Sequence, residues 1–417
     1  MRIALWHNLP SGGAKRALYE QVKGLQRRGH SIESWCPSSA DGDYLPLSDL
    51  VTEHVIPFDW QDPPSKGRVE NLLYPYRSVQ SQLAAMERVC SVCADQITAG
   101  GFDVLFSNSC RYFRAPPVGR MVGRLPKVLY AQEPYRWLYE ALPALPWVLG
   151  GPTSASQPLR PRNSRSALRD WIRLQGLRLQ AHEERANAAG FDRILVNSLF
   201  SRESVIRTYG LDADVCYLGI ATEIFRPTGD ARERFVISVG SDTFEKGVDT
   251  AIHAIASIAK ERRPPLVWVA NIISPAHHEK MQALAHALDV AFDVRTRVTD
   301  TELVSLLNRS AVMIYVPRLE PFGLAPLEAS ACGTPVVAVA EGGIRESLTH
   351  MESALLIPGR DPVALGRAVL SLLDNPELAI RLGERGREAV RTNWTWDAAI
   401  DRLEGYLQST AAAVAAR

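Results

Sequence analysis

Apolar and polar positions alternate along this chain in two rhythms. Short apolar runs of strand length stand at Ile3-Ala-Leu-Trp6, Ser31-Ile-Glu-Ser-Trp35, Val104-Leu-Phe106, Val128-Leu-Tyr130 and Ile194-Leu-Val196. Between the first two, the turn Pro10-Ser-Gly-Gly13 opens a helical period in which Leu18, Val22 and Leu25 fall at i, i+4 and i+7, and Gly29 supplies the stop. Each later run is separated from the next by enough residues for a crossover helix. Strand, helix and strand repeated in this way predict a parallel sheet covered on both faces.

The pattern breaks at Phe225-Arg-Pro-Thr-Gly-Asp230 and then begins again. A fresh strand, Phe235-Val-Ile-Ser-Val239, leads to a helix carrying Val248, Ile252, Ile255 and Ile258 on one face. Further strands follow at Leu266-Val-Trp-Val269, Val312-Met-Ile-Tyr-Val316 and Pro335-Val-Val-Ala-Val339. The α/β chain thus divides into two doubly wound, Rossmann-like domains, 1–222 and 223–395, with residues 396–417 as a terminal helix. Such sheets bind ligands at the carboxyl ends of their strands, so the active site is expected in the cleft between the halves.

Composition narrows the class. A chain of 417 residues with 46% hydrophobic and 22% charged residues is long enough for two cores and far from the signature of disorder. Lys and Arg number 47 against 46 Asp and Glu, so no overall field draws the chain to nucleic acid. Cys90 and Cys93 form a lone C-x-x-C within a helix-like stretch and read as two apolar cysteines on one face. The first residues read as a strand and not a secretory signal, which predicts a cytoplasmic protein.

The strongest chemical signal is Glu320-Pro-Phe-Gly-Leu-Ala-Pro-Leu-Glu328, placed after the strand ending at Val316 and before Gly333-Thr-Pro335. A helix beginning near Gly323 would aim its first amides, including those of Gly323 and Leu324, at the cleft, where they and the helix dipole favour a phosphate. Glu320 and Glu328 could then grip sugar and ribose hydroxyls. Together with Cys332-Gly-Thr-Pro-Val-Val-Ala338 and Gly342-Gly343, this segment resembles the retaining glycosyltransferases of family 4. The resemblance extends to Asn197-Ser198, Tyr209-Gly210, Gly219 and Phe225-Arg-Pro227, which look like the family's domain crossing, and to Trp394-Thr-Trp396, which looks like the entry to a helix returning to the first domain.

The resemblance implies a GT-B architecture, two domains facing across a cleft, with a nucleoside-diphosphate sugar as co-substrate and no other cofactor. It implies that Glu320 meets the donor sugar, that Glu328 holds the ribose, and that Phe322, Gly323 and Leu324 line the donor site. Lys246 in Gly240-Ser-Asp-Thr-Phe-Glu-Lys-Gly247 is expected to neutralise charge on the leaving diphosphate, and the base pocket is expected at the turn Arg297-Val-Thr-Asp300, with Arg297 and Val298 in the donor site. Two departures stand out. The family's Arg after the glycine is here Ser241, which costs a bidentate phosphate ligand. Lys15 and Arg16, just after Gly12-Gly13, are candidate replacements and candidate acceptor contacts. The Gly12-Gly13 pair itself is either a plain turn or a close approach of backbone to a phosphate or acceptor. The second departure is Gln132, in Val128-Leu-Tyr-Ala-Gln-Glu-Pro-Tyr-Arg-Trp-Leu-Tyr-Glu140, where the family has histidine. An amide can orient a donor but cannot move protons near neutral pH, so Gln132 reads either as a donor-orienting residue or as a packing residue. Arg136 in the same segment is expected to face the acceptor.

With no carboxylate besides Glu320 placed by the motif, a front-face substitution that retains configuration is expected over a glycosyl-enzyme. No metal is expected, because Asp212-Ala-Asp214, though a D-x-D pattern, aligns with the domain crossing. The acceptor is not encoded. Trp137, Leu138, Tyr139, Leu142, Leu145, Trp147, Val148 and Leu149, followed by Arg160, Arg162, Arg165, Arg169 and Arg173, read either as a peripheral membrane or lipid-acceptor contact over 137–173 or as a lid helix with a solvated basic face. Residues 150–165, rich in Pro, Ser and Arg, read as a surface loop. A dehydrogenase is disfavoured, since Ser11-Gly-Gly-Ala-Lys-Arg16 is not G-x-G-x-x-G. A sugar-nucleotide epimerase is disfavoured by the glutamate pair. The remaining alternative is a catalytically weakened homologue that binds a sugar nucleotide as a partner subunit.

Overall fold

The computed structural model describes residues 1–65, 67–140 and 164–416, with backbone alone for 164–167. Its first sheet contains β1 (Arg2–Asn8), β2 (Ser31–Pro37), β3 (Thr52–Ile56), β4 (Val104–Cys110), β5 (Lys127–Gln132), β6 (Arg193–Val196) and β7 (Asp214–Val215), in the spatial order β3-β2-β1-β4-β5-β6-β7. The second contains β8 (Glu233–Val239), β9 (Leu266–Ala270), β10 (Phe292–Thr296), β11 (Ser310–Tyr315), β12 (Val336–Val339) and β13 (Leu355–Ile357), in the order β10-β9-β8-β11-β12-β13. Every pairing is parallel: Ile3 stands between Ile32 and Val104, and Val236 between Leu266 and Val312. In each sheet the first strand lies near the middle, and the winding reverses beside it. Loops at such a reversal leave toward opposite faces and open a crevice at the strand ends.

The apolar runs are explained by burial on both faces. Ile3 and Leu5 of β1 belong to one core while Ala4 and Trp6 belong to another. The helix Gly13–Arg27 buries Leu18, Val22 and Leu25 as its period predicts, and the helix Val248–Ala256 buries Val248, Ile252 and Ile255 but ends before Ile258, which is buried just past it. One core is shared by the two domains: it runs from Ile3 through Leu218, Ile220 and Phe225 to Met313 and Tyr315. The C-terminal helix Trp396–Ala415 adds Ile400, Leu403 and Leu407 to it. A Cβ on Gly24 would fall 2.5 Å from Ile400, so the first helix and the returning helix touch closely at that glycine. Arg28 and His30 each reach Glu404 at 2.8 Å and fasten the pair.

Several elements escaped the sequence pattern. β3 and β10 lie at sheet edges and carry charged residues among their apolar ones, and β7 and β13 have only two and three residues. Cys90 and Cys93 are buried on the helix Arg68–Ala99 and carry no disulfide. Asp212 and Asp214 lie by β7 and pair with Arg202 at 2.8 Å and Arg193 at 2.6 Å. Of the apolar stretch, Trp137 is exposed, Leu138 is buried and Tyr139 packs against Tyr209; Leu142 to Leu149, most of 150–165, Arg160, Arg162 and the side chain of Arg165 lie outside the described residues. Among the described residues no helix is long and apolar enough to cross a membrane.

Candidate functional site

The winding reversals of the two sheets face each other across a cavity of about 300 Å³. From the second domain, the loop after β11 delivers Glu320 and then the helix Leu324–Ala331. Gly323 caps that helix at φ 91, and a Cβ there would sit 2.4 Å from Ile344. Glycine is favoured here by its left-handed backbone angle, and a larger residue would also have to displace the Ile344 side chain. The loop after β8 delivers Lys246 on the short turn Phe244–Lys246, which stops at Gly247 with φ 73; a Cβ there would lie 2.2 Å from the Val316 carbonyl oxygen. Lys246 Nζ donates to Glu320 Oε2 at 2.8 Å. Burial pushes the Glu320 carboxyl up, but the Lys246 ammonium, the Arg136 guanidinium and the Tyr315 hydroxyl outweigh it and hold Glu320 below the ordinary carboxylate range. Glu328 behaves oppositely: burial raises it, Arg16 only partly opposes, and Asp300 adds repulsion.

The first domain supplies the other wall. Gly12 at φ 140 starts the helix Gly13–Arg27, and a Cβ on Gly13 would touch Leu324 at 3.4 Å, so the two loops meet. Arg16 crosses the cleft to Asp300 with two bonds, 2.9 and 2.5 Å, and its Nε lies 3.8 Å from Glu328. The other expected cation, Lys15, points elsewhere: it is buried against Glu53, Cys36 and Asp41 and does not line the cavity. Neighbours on a helix are about 100° apart, and Lys15 takes the sheet-facing side.

β5 ends in a tight γ-turn, with Glu133 N donating to Ala131 O at 2.5 Å around Gln132 at φ 54. A left-handed glutamine is a strained backbone, and it presents the side chain to the cavity, where its Nε2 is buried without a partner among the described residues. Arg136 lies between Glu133 at 3.5 Å and Glu140 at 3.4 Å and also donates to the Arg318 carbonyl across the cleft.

Of the residues singled out from sequence, Gly12, Gly13, Arg16, Gln132, Arg136, Ser241, Lys246, Val298, Glu320, Phe322, Gly323, Leu324 and Glu328 line one cavity. The Phe322 ring packs against Trp394 and Tyr217 at the domain crossing. Arg297 does not join them: it is exposed at φ 53 just past β10, and Val298 turns inward instead. Asp300, at the end of the turn expected to form the base pocket, lines it too, whereas sequence reasoning passed over Arg114 and Glu133, which also do. Glu133 adjoins Gln132 in the segment already singled out, and burial raises its carboxyl despite Arg136 and Arg114. It also passed over Asp242, which is fully buried and accepts from His277 and His278 at 2.7 Å each, fixing the loop that carries Ser241.

The loop after β4 is fixed by Glu184, whose carboxylate accepts from the amides of Arg114 (2.8 Å) and Ala115 (3.2 Å) and from the Tyr209 hydroxyl (3.0 Å). Burial nevertheless pushes Glu184 up to about 7 from 4.5. Between those values the folded chain binds more protons than the unfolded one, so this group makes stability fall as pH rises through about 4.5 to 7. Urea midpoints measured across that range should show this slope, and Glu184→Gln should flatten it; equal slopes in both proteins would contradict the assignment.

Facing winding reversals, a free helix N-terminus, an ammonium–carboxylate pair and a glycine loop define a two-domain α/β protein suited to holding a phosphorylated ligand in its cleft. Residues 220–389 match the family model described as Glycosyl transferases group 1, and residues 12–219 that described as Glycosyl transferase 4-like domain. The chain belongs to this family, the family 4 glycosyltransferases of GT-B fold. It is 32% identical over 239 residues to a D-inositol 3-phosphate glycosyltransferase of Acidothermus cellulolyticus, covering 52% of this chain and 53% of the relative. It is 29% identical over 246 residues to a GDP-mannose-dependent alpha-(1-6)-phosphatidylinositol monomannoside mannosyltransferase of Mycobacterium tuberculosis, covering 54% of this chain and 63% of that one. The chain thus spans about half the length of the curated relatives it matches. In fold it is similar to Anabaena HepE, solved with UDP and glucose (TM-score 0.70, 16% identity, 98% and 100% of the two chains). It is similar also to sucrose-phosphate synthase from Thermosynechococcus elongatus (TM-score 0.69, 18% identity, 99% and 100%).

Proposed function

We propose that this protein moves a hexosyl group from a nucleoside-diphosphate sugar to a hydroxyl acceptor, with retention of configuration and without a metal. The observation that carries this reading is the Lys246–Glu320 pair beside the tip of the Leu324–Ala331 helix, inside the cavity. A diphosphate at that tip takes hydrogen bonds from the Gly323 and Leu324 amides and draws Lys246 to itself. Glu320 then turns to the donor sugar's hydroxyls, and Glu328 holds the ribose. The acceptor hydroxyl attacks from the face the diphosphate leaves, its proton passing to a leaving phosphate oxygen, so positioning and electrostatics suffice. Arg136 faces the acceptor, and of the two cations considered in place of the guanidinium that Ser241 lacks, Arg16 lines the cavity. Residues 1–222 with the returning helix form the acceptor side and 223–395 the donor side.

Thermal unfolding against a panel of nucleoside diphosphates tests this reading. A diphosphate at a hundred times its Kd stabilises the folded state by about 2.7 kcal/mol, a rise of several degrees in Tm. Lys246→Ala should remove the rise. If no nucleoside diphosphate shifts Tm, the donor assignment fails. Binding without turnover of the matching sugar nucleotide would identify the chain as a weakened binding partner, and loss of turnover in excess EDTA would reopen metal chemistry.

A further inference from the structure

Arg114 lines the same cavity from the loop after β4, on the wall supplied by the first domain. Its backbone is tied down by Glu184, and its guanidinium lies over the Tyr135 ring, 5.0 Å from the centroid. Yet the guanidinium donates no hydrogen bond among the described residues. Glu133 Oε1 stands at 3.8 Å, beyond hydrogen-bond reach, and Arg114 Nε is buried without a partner. The other cleft arginines are occupied: Arg16 on Asp300, Arg136 on Glu140 and the Arg318 carbonyl, Arg318 on Asp249. Gln132 Nε2, on the same wall, is likewise a buried donor with no acceptor among the described residues.

A planar fork of donors, held in place by stacking and left unbonded, matches the geometry of an oxyanion and not that of a lone hydroxyl. The donor's diphosphate is served from the opposite wall by Lys246 and the helix tip. We propose that Arg114, assisted by Gln132, binds a phosphate or carboxylate borne by the acceptor. This rests on the donor reading above only for which substrate carries the anion; the anion site itself rests on the unbonded guanidinium. Arg114 is thereby a specificity residue that fixes the acceptor while another of its oxygens attacks.

Calorimetry on the full chain tests this, with the donor site first saturated by whichever nucleoside diphosphate raises Tm. Glucose 6-phosphate, glucuronate and glucose serve as probes, and at least one of the charged sugars should bind tenfold or more tightly than glucose. The stronger of the two separates a phosphate site from a carboxylate site. Arg114→Leu should weaken that probe about 10- to 100-fold, the loss of a hydrogen-bonded charge, with nucleoside diphosphate affinity and Tm unchanged. Arg114→Lys should recover part of it, keeping the charge but not the fork. Equal binding of all three sugars, or Arg114→Leu within twofold of the parent chain, would overturn the proposal. If no nucleoside diphosphate binds, the donor reading falls separately. The same titrations on the free protein and on Lys246→Ala then still report whether an anion depends on Arg114.

Discussion

Glu320→Gln and Lys246→Ala should each lower turnover by about 10²- to 10³-fold, the size of effect seen when one preorganised partner of a developing charge is removed. The two side chains share a hydrogen bond of 2.8 Å in the absence of donor, so their effects are coupled. Removing Lys246 leaves Glu320 facing Arg136 and Tyr315 alone, and burial then raises its carboxyl toward the ordinary range. Glu320→Gln frees the ammonium for the diphosphate but offers the sugar a neutral amide, with one acceptor oxygen where the carboxylate has two. The double variant should therefore lose less than the product of the single losses. Steady-state turnover of the three variants, with circular dichroism to confirm folding, checks this; near-parental turnover in either single variant would remove the pair from the chemistry.

Gly343→Ala should be nearly as damaging without touching a ligand. Gly343 N donates to the Glu320 carbonyl at 2.8 Å, and a Cβ on Gly343 would lie 2.0 Å from the Pro321 carbonyl oxygen. Its neighbour Gly342 has φ 58 and would bring a Cβ within 2.2 Å of the Glu320 carbonyl oxygen. The loop that bears Glu320 therefore rests directly on this glycine pair, with backbone against backbone and no flexible side chain to give way. On the other side, Glu341 accepts from Leu319 N and from Arg360, so the loop cannot simply slide. One methyl group should cost about 1–3 kcal/mol of stability by overpacking. The loop's displacement by a fraction of an ångström or more should lower turnover by about 10²-fold. Gly405→Ala, in the returning helix where a Cβ meets nothing within 4 Å, is the control and should if anything raise Tm. Unchanged turnover in Gly343→Ala would show that the loop does not depend on that contact.

Much of this was legible in the sequence because the decisive residues are consecutive. Glu320 to Glu328 and Gly240 to Gly247 each lie in one strand-to-helix connection, and a connection of that kind fixes where its residues end up. The central strands were legible for the same reason, since burial on both faces leaves an unbroken apolar run. What stayed hidden depends on which way a side chain turns, or on residues far apart in the chain. Lys15 and Arg16 are neighbours in sequence, yet one lies under the sheet against Glu53 and the other spans the cleft to Asp300, 284 residues away. Arg114 bears no pattern in its own segment; only the fold places it beside Glu133 and Gln132. The edge strands β3 and β10 were missed because one of their faces meets water and their period is broken by charged residues.

The chain passes between its two domains twice, and the passages run side by side: Ile220 N donates to the Trp394 carbonyl at 2.8 Å, and a Cβ on Gly219 would collide with Trp396 N at 2.5 Å. Two adjacent tethers act as a single spine. Opening of the cleft is thereby confined to swinging about one axis near Gly219 and Trp394, with little freedom to twist or slide. Arg16 on Asp300 and Arg136 on the Arg318 carbonyl both bridge the two walls, so a swing that admits a substrate must part both contacts while the spine keeps the walls in register.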